Sequence, residues 1–158
     1  MLLKFTGIFM RAVIQRVDSA GVKVGKQDVS KIKSGILVFL GVEKEDGERD
    51  ADYILDKAIN MRIFEDNEGK MNLGLADIGG EMLVVSQFTL LADCRKGRRP
   101  SFVSAEEPTG AEGLYNYFIT RAKEKIEKVA SGRFQQMMSV ELINNGPVTI
   151  LLDSRKNI

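Results

Sequence analysis

Val140-Glu141-Leu142-Ile143-Asn144-Asn145-Gly146-Pro147-Val148-Thr149-Ile150-Leu151-Leu152 sets a glycine and a proline inside what otherwise reads as buried strand. The flanks carry β-branched and apolar side chains that suit a pleated surface. Pro147 has no N–H to give to a sheet ladder, and Gly146 weakens a strand while tolerating unusual backbone angles. The spacing predicts two strands, over about 138–144 and 147–152, closing the chain. A local rule broken inside a consistent pattern marks function or strain, so Gly146 and Pro147 are the first candidate site residues.

Outward from that stretch, strands and helices alternate along the chain. Arg11–Val17 opens a strand, Val22–Val24 alternates, Gly25 and Lys26 make a turn, and Gly35–Val42 is a nearly continuous apolar run, together reading as a β-meander. From Asp46 the period changes. Ala51, Ile54, Leu55, Ala58 and Ile59 recur at helical spacing, with acids at the end where the helix dipole favours them, which predicts a helix over about 46–60. Met61–Phe64 and Lys70–Leu73 flank Asp66-Asn67-Glu68-Gly69, a hairpin with a loop of ~4 residues. Gly79 and Gly80 release a strong strand, Met82–Leu91. A second helix is predicted over about 110–130, with Leu114, Phe118, Ala122, Ile126 and Val129 on one stripe, Pro108 at its approach and Gly132 at its exit. The sum is a mixed α/β (α+β) fold in a single domain, with more strand than helix.

Composition limits what the site can do. With 158 residues, 44% hydrophobic and 28% charged, the chain suits one globular domain with its own core. Its 23 basic residues against 22 acidic ones leave a formal charge of +1, so an anionic partner must be met by a local patch. The lone cysteine, Cys94, forms no internal disulfide, and a reducing, cytoplasmic setting is the expectation. Histidine is absent, which removes the commonest general base and zinc ligand, so neither a metal nor another cofactor is expected. No stretch approaches the roughly 20 apolar residues of a membrane span. Residues 1–9 are apolar but for Lys4 and read as an extension before Met10, too short for a secretory signal.

Two further segments carry candidate chemistry. Ser86-Gln87-Phe88-Thr89-Leu90 places three polar side chains in the strongest strand, where burial is costly unless each finds a partner. Either two of them face solvent on an alternating strand, or Gln87 and Thr89 share a face and line a pocket whose backbone amides orient a carbonyl. Just downstream, Arg95-Lys96-Gly97-Arg98-Arg99-Pro100 gathers four cations in a loop suited to phosphates. An RNA end held by that loop would lie beside the polar strand.

Taken together, Ser86-Gln87-Phe88-Thr89-Leu90 and Asn144-Asn145-Gly146-Pro147-Val148-Thr149 resemble the paired signature of the D-aminoacyl-tRNA deacylases. Met10–Val17, Arg62-Ile63-Phe64, Lys70–Leu73 and Arg95–Phe102 extend the likeness from Met10 to about Asp153. This makes 10–153 the expected deacylase domain, with 1–9 an extension and 154–158 a tail; Cys94 departs from the pattern, where a small hydroxyl residue is expected. The resemblance implies a barrel-like arrangement of antiparallel and mixed sheets flanked by two main helices. It also implies a homodimer that hydrolyses the ester between a D-amino acid and the terminal ribose of tRNA and clears glycine mischarged on tRNA for alanine. In this reading the Gly146–Pro147 bond is cis and reaches into the partner subunit's pocket as a chiral filter, with Asn144 and Thr149 counted among the substrate-binding filter residues and Arg16 supporting them. Ser86, Gln87, Phe88 and Thr89 form the floor where the ester carbonyl sits, and Arg95, Lys96, Arg98 and Arg99 are candidate tRNA contacts.

The physics of such a filter is simple. If the substrate's amine and ester are both fixed, the α-carbon has two places left, and an L side chain is driven into the main chain where a D side chain points outward. Glycine passes either way. An aminoacyl ester is already reactive, so positioning and one or two oxyanion donors suffice, each donor being worth on the order of 10²–10³ in rate. Thr89 attack and water attack assisted by the tRNA's terminal 2′-hydroxyl both remain open; the absence of histidine favours water, with Thr89 giving chiefly its backbone amide. Two rivals stand against this reading. Cys94 lacks a histidine to activate it as a nucleophile, and a non-catalytic RNA-binding module would bind L- and D-charged tRNA alike.

Overall fold

A computed structural model describes residues 9–158; the first eight residues, and with them most of the expected N-terminal extension, lie outside the described residues. The backbone runs β1 (Arg11–Val24), β2 (Gln27–Ile32), β3 (Gly35–Gly41), α1 (Glu48–Asn60), β4 (Phe64–Glu65), β5 (Met71–Leu73), β6 (Glu81–Ser86), a 3-10 turn (Phe88–Leu91), α2 (Pro108–Lys123), β7 (Val129–Ser131) and β8 (Ser139–Asp153).

The organising element is β1. Its first half pairs antiparallel with β3, from Arg11 opposite Gly41 to Val17 opposite Gly35, and its second half pairs with β2 across the Gly25–Lys26 turn. The expected meander is therefore corrected: β3 returns to β1 instead of adding to β2. The other edge of β1 is taken by β8 along its whole length. Parallel strands β6 and β7 extend the sheet beyond β3.

Alternation along β3 shows why this sheet curls. Ile36, Val38 and Leu40 face one way, with Ala12, Ile14, Met82 and Val84, and pack against the buried stripes of α1 and α2. Leu37 faces the other way, with Val17, Ala20, Val22, Ile32, Leu83 and Val85, and makes a second, smaller core inside the curve. A strand buried on both faces needs the unbroken apolar run seen at 35–42. At Gly35 the backbones of β3 and β6 come so close that a Cβ would stand 1.9 Å from the Glu81 carbonyl oxygen. The resulting mixed sheet is nearly closed on itself, with both helices on its outer face, as the barrel-like expectation had it.

Helix α1 follows its sequence signals closely. Ala51, Ile54, Leu55, Ala58 and Ile59 are its buried residues, and Asp50 Oδ2 accepts the Gly47 amide at 2.9 Å to cap it. Helix α2 begins with Pro108 at its first turn but ends at Lys123, short of the expected 130. Val129 instead starts β7, where it pairs with Met82, because β6 offers an unfilled ladder edge that outweighs the helical period. Ile126 is still buried, and Tyr115 on α2 donates its hydroxyl to the Val84 carbonyl at 2.9 Å. The hairpin β4–β5 forms around Asp66, whose carboxylate accepts the Glu68 and Lys70 amides at 2.8 and 3.0 Å.

Between β3 and α1 the chain turns on a poorly hydrated acid. Asp46 Oδ2 accepts the Glu43 amide at 2.7 Å, while its buried Oδ1 has no partner among the described residues. Burial pushes the Asp46 carboxyl up to about 7, opposed by the Glu43 amide and Arg155 and reinforced by the charges of Asp50 and Glu43. A carboxyl raised above its unfolded value of about 3.9 favours folding while protonated, so this contribution is full below that pH and fades as pH rises through about 7. Asp46→Asn is therefore expected to melt higher than the wild type at pH 8. The gap should close as the pH falls toward 4, read from thermal unfolding across that range.

Candidate active site

The strand expected over Met82–Leu91 stops at Ser86. Gln87 donates its amide to the Leu40 carbonyl at 2.8 Å, and Phe88–Leu91 then wind into a 3-10 turn closed by the Leu90 amide on the Gln87 carbonyl at 3.2 Å. This corrects the strand geometry assumed for Gln87 and Thr89, because period-two alternation no longer applies. The turn nevertheless brings the two together, with Gln87 Nε2 donating to Thr89 Oγ1. At the start of the turn, the Phe88 and Thr89 amides stand where helical N–H groups have no intrahelical acceptor.

A cleft of about 730 Å³ opens over this turn, within the roughly 300–1,000 Å³ of small-molecule sites. Ser86, Gln87, Phe88 and Thr89 all line it. The opposite wall comes from Glu106 and Glu107 at the start of α2 and from the 134–138 segment, none of which carried a motif in the sequence. Phe88 stacks edge-on against Phe102, ring centres 5.1 Å apart, and both remain exposed at the mouth beside Val103 and Met137. No single spacing rule predicts such a wall, since it is assembled from three separate loops.

The Gly146–Pro147 pair lies elsewhere on the surface. The two strands expected around it are one strand, β8, whose ladder with β1 shifts register twice, between Gln15 and Val17 and again between Val17 and Ser19. Gln15 pairs with Thr149 and Val17 with Asn144, so residues 145–148 bulge out opposite Arg16 alone. Pro147 therefore sits where no ladder donor is needed, and the Gly146–Pro147 bond is cis. Arg16 is 4% exposed and fills the gap: its Nε and Nη2 donate to the Asn145 carbonyl and Oδ1 at 3.1 and 3.0 Å, and its Nη1 to the Ile63 carbonyl at 2.6 Å. Asn144 Oδ1 closes the bulge by accepting the Val148 amide at 2.9 Å, while Gln15 bonds both Asn144 and Thr149. Gly146 adopts φ +126°, a region that favours glycine.

Within one chain the two motifs do not meet. Val140 at the start of β8 reaches the cleft, but Gly146 and Pro147 are not among its lining residues. Nor is β8 buried as its composition suggested. Leu142, Ile143 and Leu151 are 36, 59 and 56% exposed, and among the described residues β8 pairs with β1 alone.

The basic segment forms a loop closed by the Asp93 and Ser101 main chains, bonded to each other at 2.8 and 3.0 Å. Arg95 folds back onto Asp93, Nε to Oδ1 at 2.9 Å and Nη2 to Oδ2 at 2.7 Å, holding that carboxyl well below its usual range. Lys96, Arg98 and Arg99 are exposed and make no ion pair among the described residues. Cys94 is exposed in the same loop. Among the described residues no group of three or more potential ligands is arranged for a metal, and no helix is long and apolar enough to cross a membrane.

Comparison with known proteins agrees with this architecture. A D-aminoacyl-tRNA deacylase of Syntrophus aciditrophicus (strain SB) is 65% identical over 147 residues, 93% of this chain and 99% of the relative. One of Clostridioides difficile (strain 630) is 56% identical over 148 residues, 94% and 99% of the two chains. Among solved structures, the c-Myc DNA Unwinding Element Binding Protein superposes with a TM-score of 0.85 at 40% identity, covering 90% of this chain and 97% of that one. A probable eukaryotic D-amino acid tRNA deacylase shares the fold with a TM-score of 0.78 at 17% identity, over 92% and 99%. The sequence profile described as D-Tyr-tRNA(Tyr) deacylase spans residues 13–153, and with relatives this similar over nearly the whole chain, the protein belongs to that family.

Proposed function

We propose that the chain hydrolyses the ester of D-aminoacyl-tRNA, and of glycyl-tRNA mischarged on tRNA for alanine, in the cytoplasm as a proofreading homodimer. The observation that carries the activity is the 65% identity, over 93% of the chain, to a protein named D-aminoacyl-tRNA deacylase. The geometry fits that chemistry. A water oxygen adds to the ester carbonyl, the oxyanion forms against the Phe88 and Thr89 amides, and collapse breaks the ester C–O bond, one water proton leaving on the ribose oxygen and the other passing to solvent as the amino acid is released as carboxylate. The chain has no histidine, and the carboxylates lining the cleft, Glu106 and Glu107, belong to the wall opposite the turn; the base role is assigned to the substrate's own 2′-hydroxyl, and Thr89 acts mainly through its backbone.

The filter reading needs a second copy. Pro147 does not line the cleft of its own chain, whereas the exposed Leu142, Ile143 and Leu151 of β8 and the exposed rim of Phe88, Phe102, Val103 and Met137 are apolar side chains that a second copy would cover. In such a dimer Gly146 and Pro147 of one chain wall the cleft of the other. Because the wall is main chain, it sorts by handedness and is indifferent to which amino acid is attached. Lys96, Arg98 and Arg99 are exposed and are assigned to acceptor-stem phosphates, and Arg95, already bonded to Asp93, shapes the loop instead.

Release of tyrosine from D- and L-tyrosyl-tRNA tests the reading. Turnover of the D form alone is expected, and equal binding of both forms without turnover would point to a non-catalytic RNA-binding module. Thr89→Ala is expected to retain activity within roughly tenfold, since the amide stays in place; a loss approaching the ~10⁶ of a lost nucleophile would mean covalent catalysis. Gly146→Ala would bring a Cβ to 2.9 Å from both Arg16 Nη2 and Val148 Cγ2 at φ +126°. A loss of about 1–3 kcal/mol is expected, read as a lower urea midpoint with an unchanged slope. Neutralising Arg98 and Arg99 together should raise KM, flatten its salt dependence by about two phosphate contacts and leave the D-over-L ratio intact.

A further inference from the structure

The bulge at 145–148 has no ladder to hold it, and side chains take over that task from two directions. On one side, the Arg16 guanidinium is anchored at its Nη1 end to the β4–β5 hairpin, by the Ile63 carbonyl at 2.6 Å and by Glu65 Oε1 at 3.2 Å. That anchorage turns its Nε–Nη2 edge toward Asn145, where it meets the carbonyl and Oδ1 at 3.1 and 3.0 Å. On the other side, Asp18 Oδ1 accepts Asn145 Nδ2 at 2.7 Å.

This second contact fixes something the first cannot. An amide side chain has an oxygen end and an NH₂ end of nearly equal shape, and only the oxygen end can face a guanidinium. With Asp18 accepting from the NH₂ end, Asn145 is held with Oδ1 toward Arg16. Without Asp18, the flipped amide would set donor against donor and release the bulge. Glu65 does the equivalent for Arg16, since it supplies the counter-charge that keeps the planar fork in one orientation. Both carboxylates are exposed, and exposed pairs of this kind contribute little to global stability. Orientation is what they can supply.

We propose that Asp18 and Glu65 are positioning residues for the Gly146–Pro147 bulge, gripping it through Asn145 and through Arg16 and thereby setting the strictness of the chiral filter. This rests on the deacylase reading given above. The test compares Asp18→Ala, Glu65→Ala, Asp18→Asn and Glu65→Gln for kcat and KM on D- and L-tyrosyl-tRNA, with hydrogen exchange of the Val148 amide measured alongside. Each alanine variant is expected to lower the D-over-L ratio of kcat/KM by roughly tenfold, the worth of one hydrogen bond to a charged group, with KM for the D substrate little changed. The Val148 amide should exchange faster by a similar factor. Asp18→Asn and Glu65→Gln keep an acceptor oxygen and are expected to restore both readings to within about threefold of wild type. An unchanged chiral ratio and exchange rate in the alanine variants, or amide variants as impaired as alanine, would overturn the proposal. Should Glu65→Ala fail to fold, the exposed Asp18 carries the test alone. If the wild type releases no tyrosine from either substrate, the deacylase reading falls, and Val148 exchange still decides whether the two carboxylates hold the bulge.

Discussion

A buried guanidinium is the constraint on which this molecule's most unusual feature depends. Arg16 is 4% exposed, and a guanidinium charge removed from water costs several kcal/mol unless its donors are met. It lies in the strand that pairs with three others, so it cannot swing out to solvent without opening the sheet. Its neighbours must therefore come to it. The β4–β5 hairpin brings the Ile63 carbonyl and Glu65, and β8 bows outward to bring both oxygens of Asn145. The bulge and the buried charge are two descriptions of one arrangement, and the exposed Gly146–Pro147 backbone stands at its crest.

How far the sequence revealed this depends on the range of the forces involved. The stripe of α1 was legible to the residue, because Ala51, Ile54, Leu55, Ala58 and Ile59 obey a period set by local geometry and meet a core on one side only. The run at 35–42 was legible for a similar reason, since a strand covered on both faces must be apolar throughout. Residues 124–130 misled because their helical period is genuine locally. A ladder edge on β6, 47 residues away in sequence (Met82 to Val129), decides against it, and no window of sequence carries that information.

The site was half legible. Gly146–Pro147 announced itself as a contradiction within a strand, and Ser86–Thr89 as polar groups in an apolar run, since each breaks a short-range rule. What stayed hidden was relational: that Met82–Leu91 ends in a 3-10 turn, that Phe134–Met138 faces it across the cleft, and that Asp18 and Glu65 converge on Asn145 from separate elements. The exposure of Leu142, Ile143 and Leu151 was hidden for a different reason. Apolar composition says that a surface will be covered, without saying whether the cover is the same chain or another.

The proposed chemistry explains why so much of the structure serves rigidity. A site lacking histidine and without an arranged metal-ligand cluster among the described residues has little to offer an ester beyond placement and a few aimed dipoles. In the proposed reading its selectivity comes from where a wall of main chain stands relative to an α-carbon, and the two hands of a substrate differ there by the exchange of a hydrogen and a side chain. A wall free to move by about an ångström would accept both, in the way a small misplacement erodes orientation-dependent catalysis. The contacts of Arg16, Asn144, Asn145 and Gln15 around one four-residue bulge are too numerous for an ordinary surface turn, and in number and direction they are what a wall of that tolerance requires.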